Sequence, residues 1–348
     1  MNWNLFHKPA ALFACLVLPG WASGEMQSLT ETELSEVDGA GIGLVLEDFK
    51  FAHGTDVENG RIFKIGGIKS SAGEDVEIVV NQLYIAGADS NYGETLNPVN
   101  LGRLVNPFSI DVIDGNDIGV PDKAVLQFAA PTMVDPAEGY DCMNASATAG
   151  SGPCASRPVE AGLPQGERPD IGMQMNVNVG GDDSANINIH AQSAVIDGSY
   201  LRLWGDNERR QMVGQFKLNF YTPELSINAC DQQTAECGSR IVMRHFALEL
   251  ALGNTLQPMY LDVDGTGNFL IEVATIRQPA PGAIGEDGLR ESSDPAAWDF
   301  YEDYYTNPEY RSSLTVGNLS VGDRDFGSGR IEGVLIQHLK IQTKDLAP

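Results

Sequence analysis

Basic side chains are scarce: 22 Lys and Arg stand against 48 Asp and Glu in 348 residues, a net charge of −26. Such a chain repels a polyanion, which excludes DNA and RNA as partners. Beyond the N-terminus no apolar run reaches the roughly 20 residues that a membrane-spanning helix needs. No H-E-x-x-H, G-x-S-x-G or P-loop pattern occurs, and Gly39-Ala40-Gly41-Ile42-Gly43 lacks the last glycine of a dinucleotide loop. Aromatics amount to only 8%, yet a hydrophobic fraction of 42% is too high for a disordered chain. Histidine is nearly absent too, and His190, His245 and His338 fall in alternating stretches where a structural role is the common one. The expectation is a folded protein that is not an enzyme.

The N-terminus has the make-up of a leader. Lys8 precedes the apolar run Ala10 to Leu18, Pro19-Gly20 break it, and Ala22-Ser23-Gly24 supply small residues for cleavage. Residues 1–24 therefore read as a signal peptide, in preference to a lipoprotein box at Cys15, and no transmembrane helix is expected after its removal. Four cysteines then remain, Cys142, Cys154, Cys230 and Cys237, in polar, turn-rich segments. In an oxidising compartment Cys142–Cys154 and Cys230–Cys237 would close two short loops. A four-cysteine zinc site fits these spacings poorly.

Apolar and polar residues alternate through most of the chain. Met173, Met175, Val177 and Val179 are separated by Gln174, Asn176 and Asn178, and Phe246, Leu248, Leu250 and Leu252 repeat the period. The expected class is all-β, an antiparallel β-sandwich-like fold whose strands bury the apolar side and wet the polar side. One short helix is expected in residues 25–41, from the Thr30/Glu33 capping box and the Gly39 stop. A duplication runs through the rest. Leu101-Gly102, Pro107-Phe108-Ser109-Ile110-Asp111-Val112 and Asp114-Gly115-Asn116 are matched by Leu252-Gly253, Pro258-Met259-Tyr260-Leu261-Asp262-Val263 and Asp264-Gly265-Thr266. This divides the chain into a first β-unit, 42–206, with an irregular insert at 136–170, and a second, 210–346, with another at 279–310.

Two segments invite chemistry. Asp262, Asp264 and Thr266, with Gly267, space hard oxygens as the start of a calcium loop does, but the closing acid is missing and a hairpin tip uses the same residues. No cofactor is expected, calcium being the ion that these oxygens could hold. Within the second insert Trp298, Tyr301 and Tyr304 crowd among acids. They form either a contact or sugar-stacking platform, or a flap that covers the end of a sheet.

Glu33-Leu34-Ser35-Glu36-Val37-Asp38-Gly39 followed by Gly41-Ile42 resembles the segment E-L-x-x-V-x-G-Q-x-G-I that follows the signal peptide in exported proteobacterial envelope proteins, some attached to a pilus system. The resemblance covers about 14 residues and lacks the Gln. It implies a Gram-negative envelope or surface protein, in the periplasm, on the outer membrane or outside the cell. The function expected is structural or adhesive, with other envelope or pilus-system proteins and glycans as partners. The alternative is a secreted carbohydrate-binding module or hydrolase that uses the aromatic insert.

Overall fold

A computed structural model describes residues 41–54, 63–132, 167–207, 210–230, 240–273, 276, 281–284, 290–292, 295–307 and 310–343. The signal peptide, the helix expected in 25–41 and the resemblance segment, both up to Ala40, and Cys142, Cys154 and Cys237 lie outside these residues, as does the side chain of Cys230.

The first half of the chain contributes β1 (Ile42–Leu44), β2 (Leu46–Phe49), β3 (Phe51–Gly54), β4 (Phe63–Lys69), β5 (Asp75–Ala86), β6 (Val99–Leu101), β7 (Phe108–Asp114), β8 (Ala124–Ala129), β9 (Asp170–Val179), β10 (Asp182–Gln192) and β11 (Tyr200–Asp206). The second contributes β12 (Gln211–Cys230), β13 (Arg240–Leu252), β14 (Met259–Val263), β15 (Phe269–Val273), the small hairpin β16 (Pro281–Ile284) and β17 (Arg290–Ser292), helix α1 (Pro295–Thr306), β18 (Ser312–Val321), β19 (Arg324–Val334) and β20 (Leu339–Gln342). The fold is all-β, and sixteen of the strands join one antiparallel sheet.

The ladder order is the same twice. In the first half β5 pairs β9 and β9 pairs β10, while β7 pairs β8 and β8 pairs β11. In the second β13 pairs β18 and β18 pairs β19, while β14 pairs β15 and β15 pairs β20. The single 20-residue strand β12 fills the place that β1, β2, β3 and β4 share in the first half. Of these pairings only β7–β8, β9–β10, β14–β15 and β18–β19 join consecutive strands; β5–β9, β8–β11, β13–β18 and β15–β20 join residues 64 or more positions apart, so the fold depends on long-range pairing. The repeated Gly-x4-Pro step has one structural cause. Gly102 and Gly253 adopt φ of 77° and 70°, where glycine is favoured, and at Gly253 a Cβ would also come within 2.6 Å of Met259 N and 2.9 Å of Gly214 O. Each opens a tight turn, Arg103 N to Asn106 O and Asn254 N to Gln257 O, that returns the chain to the sheet.

Two expectations need correction. The second insert is not irregular throughout: α1 is the one α-helix among the described residues. Pro295 occupies its first position, where the missing N–H costs nothing, and Tyr301 and Tyr305 pack at i, i+4 with tilted rings whose centroids are 4.5 Å apart. The sidedness of β9 and of most of β10 is also reversed. On β9 the buried positions are Asp170, Gly172, Gln174 and Asn176, and on β10 Asn186 and Asn188 together with Ala191 near its end, while the Met, Val and Ile between them are half-exposed.

Candidate contact surface

Strand pairing lines the apolar residues up across the sheet. One row runs Val112, Leu126, Leu203, Gly214, Met259, Val273 and Leu339 through seven strands. Beside it run Ile42–Ile110–Phe128–Leu201–Phe216 and Met212–Leu261–Ile271–Ile341. None of these positions carries a charge. The inner end of the face is covered, with Val273 fully buried, but its margins are open: Ile42 is 60% exposed, Val263 59%, Met212 50% and Ile341 49%. In the other half of the sheet Leu83–Met173–Ile189–Ile227–Ile241–Val321 and Ile85–Ile171–Ala191–Leu225–Met243–Leu319 form two further apolar rows. Contiguous apolar surface of this extent on a soluble face is unfavourable unless something covers it.

Behind the second set of rows lies a buried amide network. Asn176 Oδ1 accepts from Asn81 Nδ2 at 2.7 Å and from Asn186 Nδ2 at 2.6 Å, and Gln174 Nε2 donates to Asn186 Oδ1 at 3.3 Å. Such groups tolerate burial because each is bonded to the next. At the start of β9 lies a separate titratable cluster. Asp170 accepts from the Ser193 N–H at 2.7 Å and sits 3.8 Å from His190 Nε2, and burial pushes its carboxyl above the usual range. Tyr84 lies over Gly172, where a Cβ would come within 2.2 Å of the ring, and its hydroxyl donates to Ser90 O. Burial, then the Asp170 and Glu94 charges, push that phenol up. These groups brace the sheet against the 88–92 loop.

An apolar cavity and a larger polar cleft adjoin the sheet. The apolar one, about 110 Å³, is lined by Ile85, Phe108, Ile171 and Val195 where the rows of both halves converge. The polar cleft, about 260 Å³, is walled by Tyr200, Arg202, Gln215, Lys217 and Asn254, and the Arg202 guanidinium stacks 4.1 Å above the Tyr200 ring.

The calcium candidates resolve into a hairpin. Asp264 accepts from Thr266 N, Thr266 Oγ1, Asn268 N and Asn268 Nδ2, and Gln342 Nε2 also reaches it. Asp262 turns to Gln211 instead, 2.6 Å away. Asp264 and Thr266 are thus together and Asp262 is apart. No group of three or more His, Cys, Asp or Glu gathers into a metal cage among the described residues. The bonds from Thr266 and Asn268 hold the Asp264 carboxyl far below its ordinary 3.8. A depressed acid stabilises its surroundings above the unfolded value and loses that effect as pH falls through the folded one. Amide exchange at Thr266 and Asn268 should therefore stay slow at about pH 4. In Asp264→Ala it should speed several-fold at neutral pH, and equal rates in the two proteins would refute the capping role.

The aromatic candidates are brought onto α1, but not as a platform. Tyr304 is 1% exposed, its hydroxyl donates to Gln257 at 2.9 Å, and its ring packs against Tyr305 and Tyr310. Tyr301 is occupied by Tyr305, and the side chain of Trp298 lies outside the described residues. Tyr304 ties the insert to the Asn254–Gln257 turn, so a three-ring sugar surface built on Trp298, Tyr301 and Tyr304 does not form. No family model, curated protein or solved structure matches this chain. The surface itself must therefore carry the assignment. Sequence reasoning passed over it because alternation marks two sides without saying which is covered. One signal was present: the residues between the apolar ones on β9 and β10 are mostly uncharged amides, where a wet strand face would carry Lys, Glu or Thr.

Proposed function

We propose that this chain is a non-enzymatic, exported component of the cell envelope that works by apposition, laying its apolar strand rows against a partner surface. The observation that carries the reading is the charge-free face running from β1 to β20 with its margins open. The leader-like N-terminus supports export, and the excess of acids keeps the remaining surface soluble. No helix among the described residues is long and apolar enough to cross a membrane.

Fractionating cells that express the tagged chain tests this. The protein should be found in the envelope, and the double variant Leu126→Lys, Phe128→Lys, which places two charges on exposed positions of the face, should shift it to the periplasm or medium while its melting transition is retained. Accumulation in the cytoplasm, or a distribution that the double variant leaves unchanged, overturns the reading.

A further inference from the structure

The duplication shows how one copy of the chain can dock on another. Inside the molecule the last strands of the first unit, β10 and β11, lie antiparallel along one edge of β12, the first strand of the second unit. The equivalents of β10 and β11 in the second unit are β19 and β20, and the equivalents of β12 in the first unit are β1 to β4. β19 and β20 lie at one end of the sheet and β1, β3 and β4 at the other, with β2, between β1 and β3 in the chain, paired to β6 in a ladder of its own. β19 pairs only β18, β20 pairs only β15, and β1 to β4 each have one neighbour, among the described residues. The molecule thus holds both halves of a junction that it already makes once. We infer that copies of this chain associate head to tail, β19 and β20 of one lying along β1 to β4 of the next, in the geometry that β10 and β11 take along β12. This deepens the reading of the chain as a structural component and rests on it, but it concerns purified protein and is tested apart from localisation.

Exposure supports the inference. Leu46, on the free edge, is 38% exposed, whereas its counterpart Phe216 is half-buried against β11; Ile341 is 49% exposed, whereas its counterpart Leu201 is half-buried against β12. Ile65, Ile68, Phe326 and Ile331 are likewise open on the two edges. Register follows from the template. Leu201 faces Phe216 and Tyr200 faces Lys217, so Ile341 would face Leu46 and Lys340 would face Glu47, an apolar pair flanked by opposite charges. A contact between two different edges does not close on itself in a dimer and propagates. The competing outcome is that the short strands β1 to β3, the lysines Lys64 and Lys69 and the glycine kinks of β19 keep both edges solitary.

Sedimentation of the purified full chain over a range of concentrations decides between them. Head-to-tail pairing predicts a series of growing oligomers. Leu46→Lys with Ile65→Lys blocks one edge, and Ile331→Lys with Ile341→Lys blocks the other; all four sites are exposed, and unchanged circular dichroism checks that the fold is kept. Each variant alone should be monomeric, with association weakened about a hundredfold. A mixture of the two, each retaining one good edge, should stop at a one-to-one dimer. Lys340→Glu should weaken assembly several-fold, and adding Glu47→Lys to the same chain should restore it. A wild-type chain that is monomeric throughout, association that survives in both edge variants, dimers formed by either variant alone, or a charge swap without rescue would each overturn the proposal.

Discussion

Tyr221→Ala should cost about 4–6 kcal/mol, a large share of the stability of an ordinary domain, and shift the urea midpoint far down. Tyr221 is fully buried on β12, and three independent attachments meet there. Its N–H and C=O both pair with Val195, which pins the 193–199 link between β10 and β11 to the sheet. Its ring is wholly shielded from solvent. Its hydroxyl donates to Glu249 Oε1 at 3.1 Å, and Glu249, 5% exposed, also accepts from Ser313 Oγ at 2.9 Å, so that one chain of bonds crosses β12, β13 and β18. Truncation to Ala leaves a cavity worth about 3–5 kcal/mol for an aromatic and takes one donor from a buried carboxyl. Tyr221→Phe keeps the ring and loses only the donor, and should cost about 1–3 kcal/mol. Urea unfolding of the two variants separates these contributions. A Phe variant as stable as wild type would show that the Glu249 carboxyl does not depend on this hydroxyl, and an Ala variant no worse than Phe would show that the ring fills no space that matters.

The strands and their duplication were legible because both depend on local patterns. Period-two alternation is set by backbone geometry, and the Gly-x4-Pro step recurs because Gly102 and Gly253 open equivalent turns at positive φ. Hairpin chemistry at Asp264 was legible for the same reason: its partners, Thr266 and Asn268, are two and four residues away. Helix α1 was readable in part, from Pro295 and the spacing of Tyr301 and Tyr305, but Pro, Gly and acid around it outweighed that signal. What could not be read was which side of each strand is covered. That depends on contacts between segments far apart in sequence, such as Asn81 with Asn176, 95 positions away. The free edges were equally hidden, since a strand's sequence does not say how many neighbours it has.

The reversed sidedness makes a prediction opposite in sign to the one that strand propensity gives. Asn176→Val puts a β-branched residue into the middle of β9, and if position 176 faced water the change would be neutral or stabilising. In the fold Asn176 is 7% exposed and its Oδ1 is the shared acceptor of Asn81 and Asn186. Valine leaves both donors short of a partner. Each keeps a longer bond, Asn81 to Gln174 Oε1 at 3.4 Å and Asn186 to Met175 O at 3.3 Å, which places the loss toward the lower end of the range for orphaned buried groups, about 2–3 kcal/mol in all. Met175→Thr, one residue away on the half-exposed apolar side, should cost less, about 1 kcal/mol, because only part of that side chain's transfer energy is at stake. The order of the two urea midpoints is the test. Asn176→Val below Met175→Thr means that the amide side of the sheet is the interior and the apolar side is held available for contact. The reverse order would return the apolar rows to an ordinary core, and with them would go the surface on which the proposed function depends.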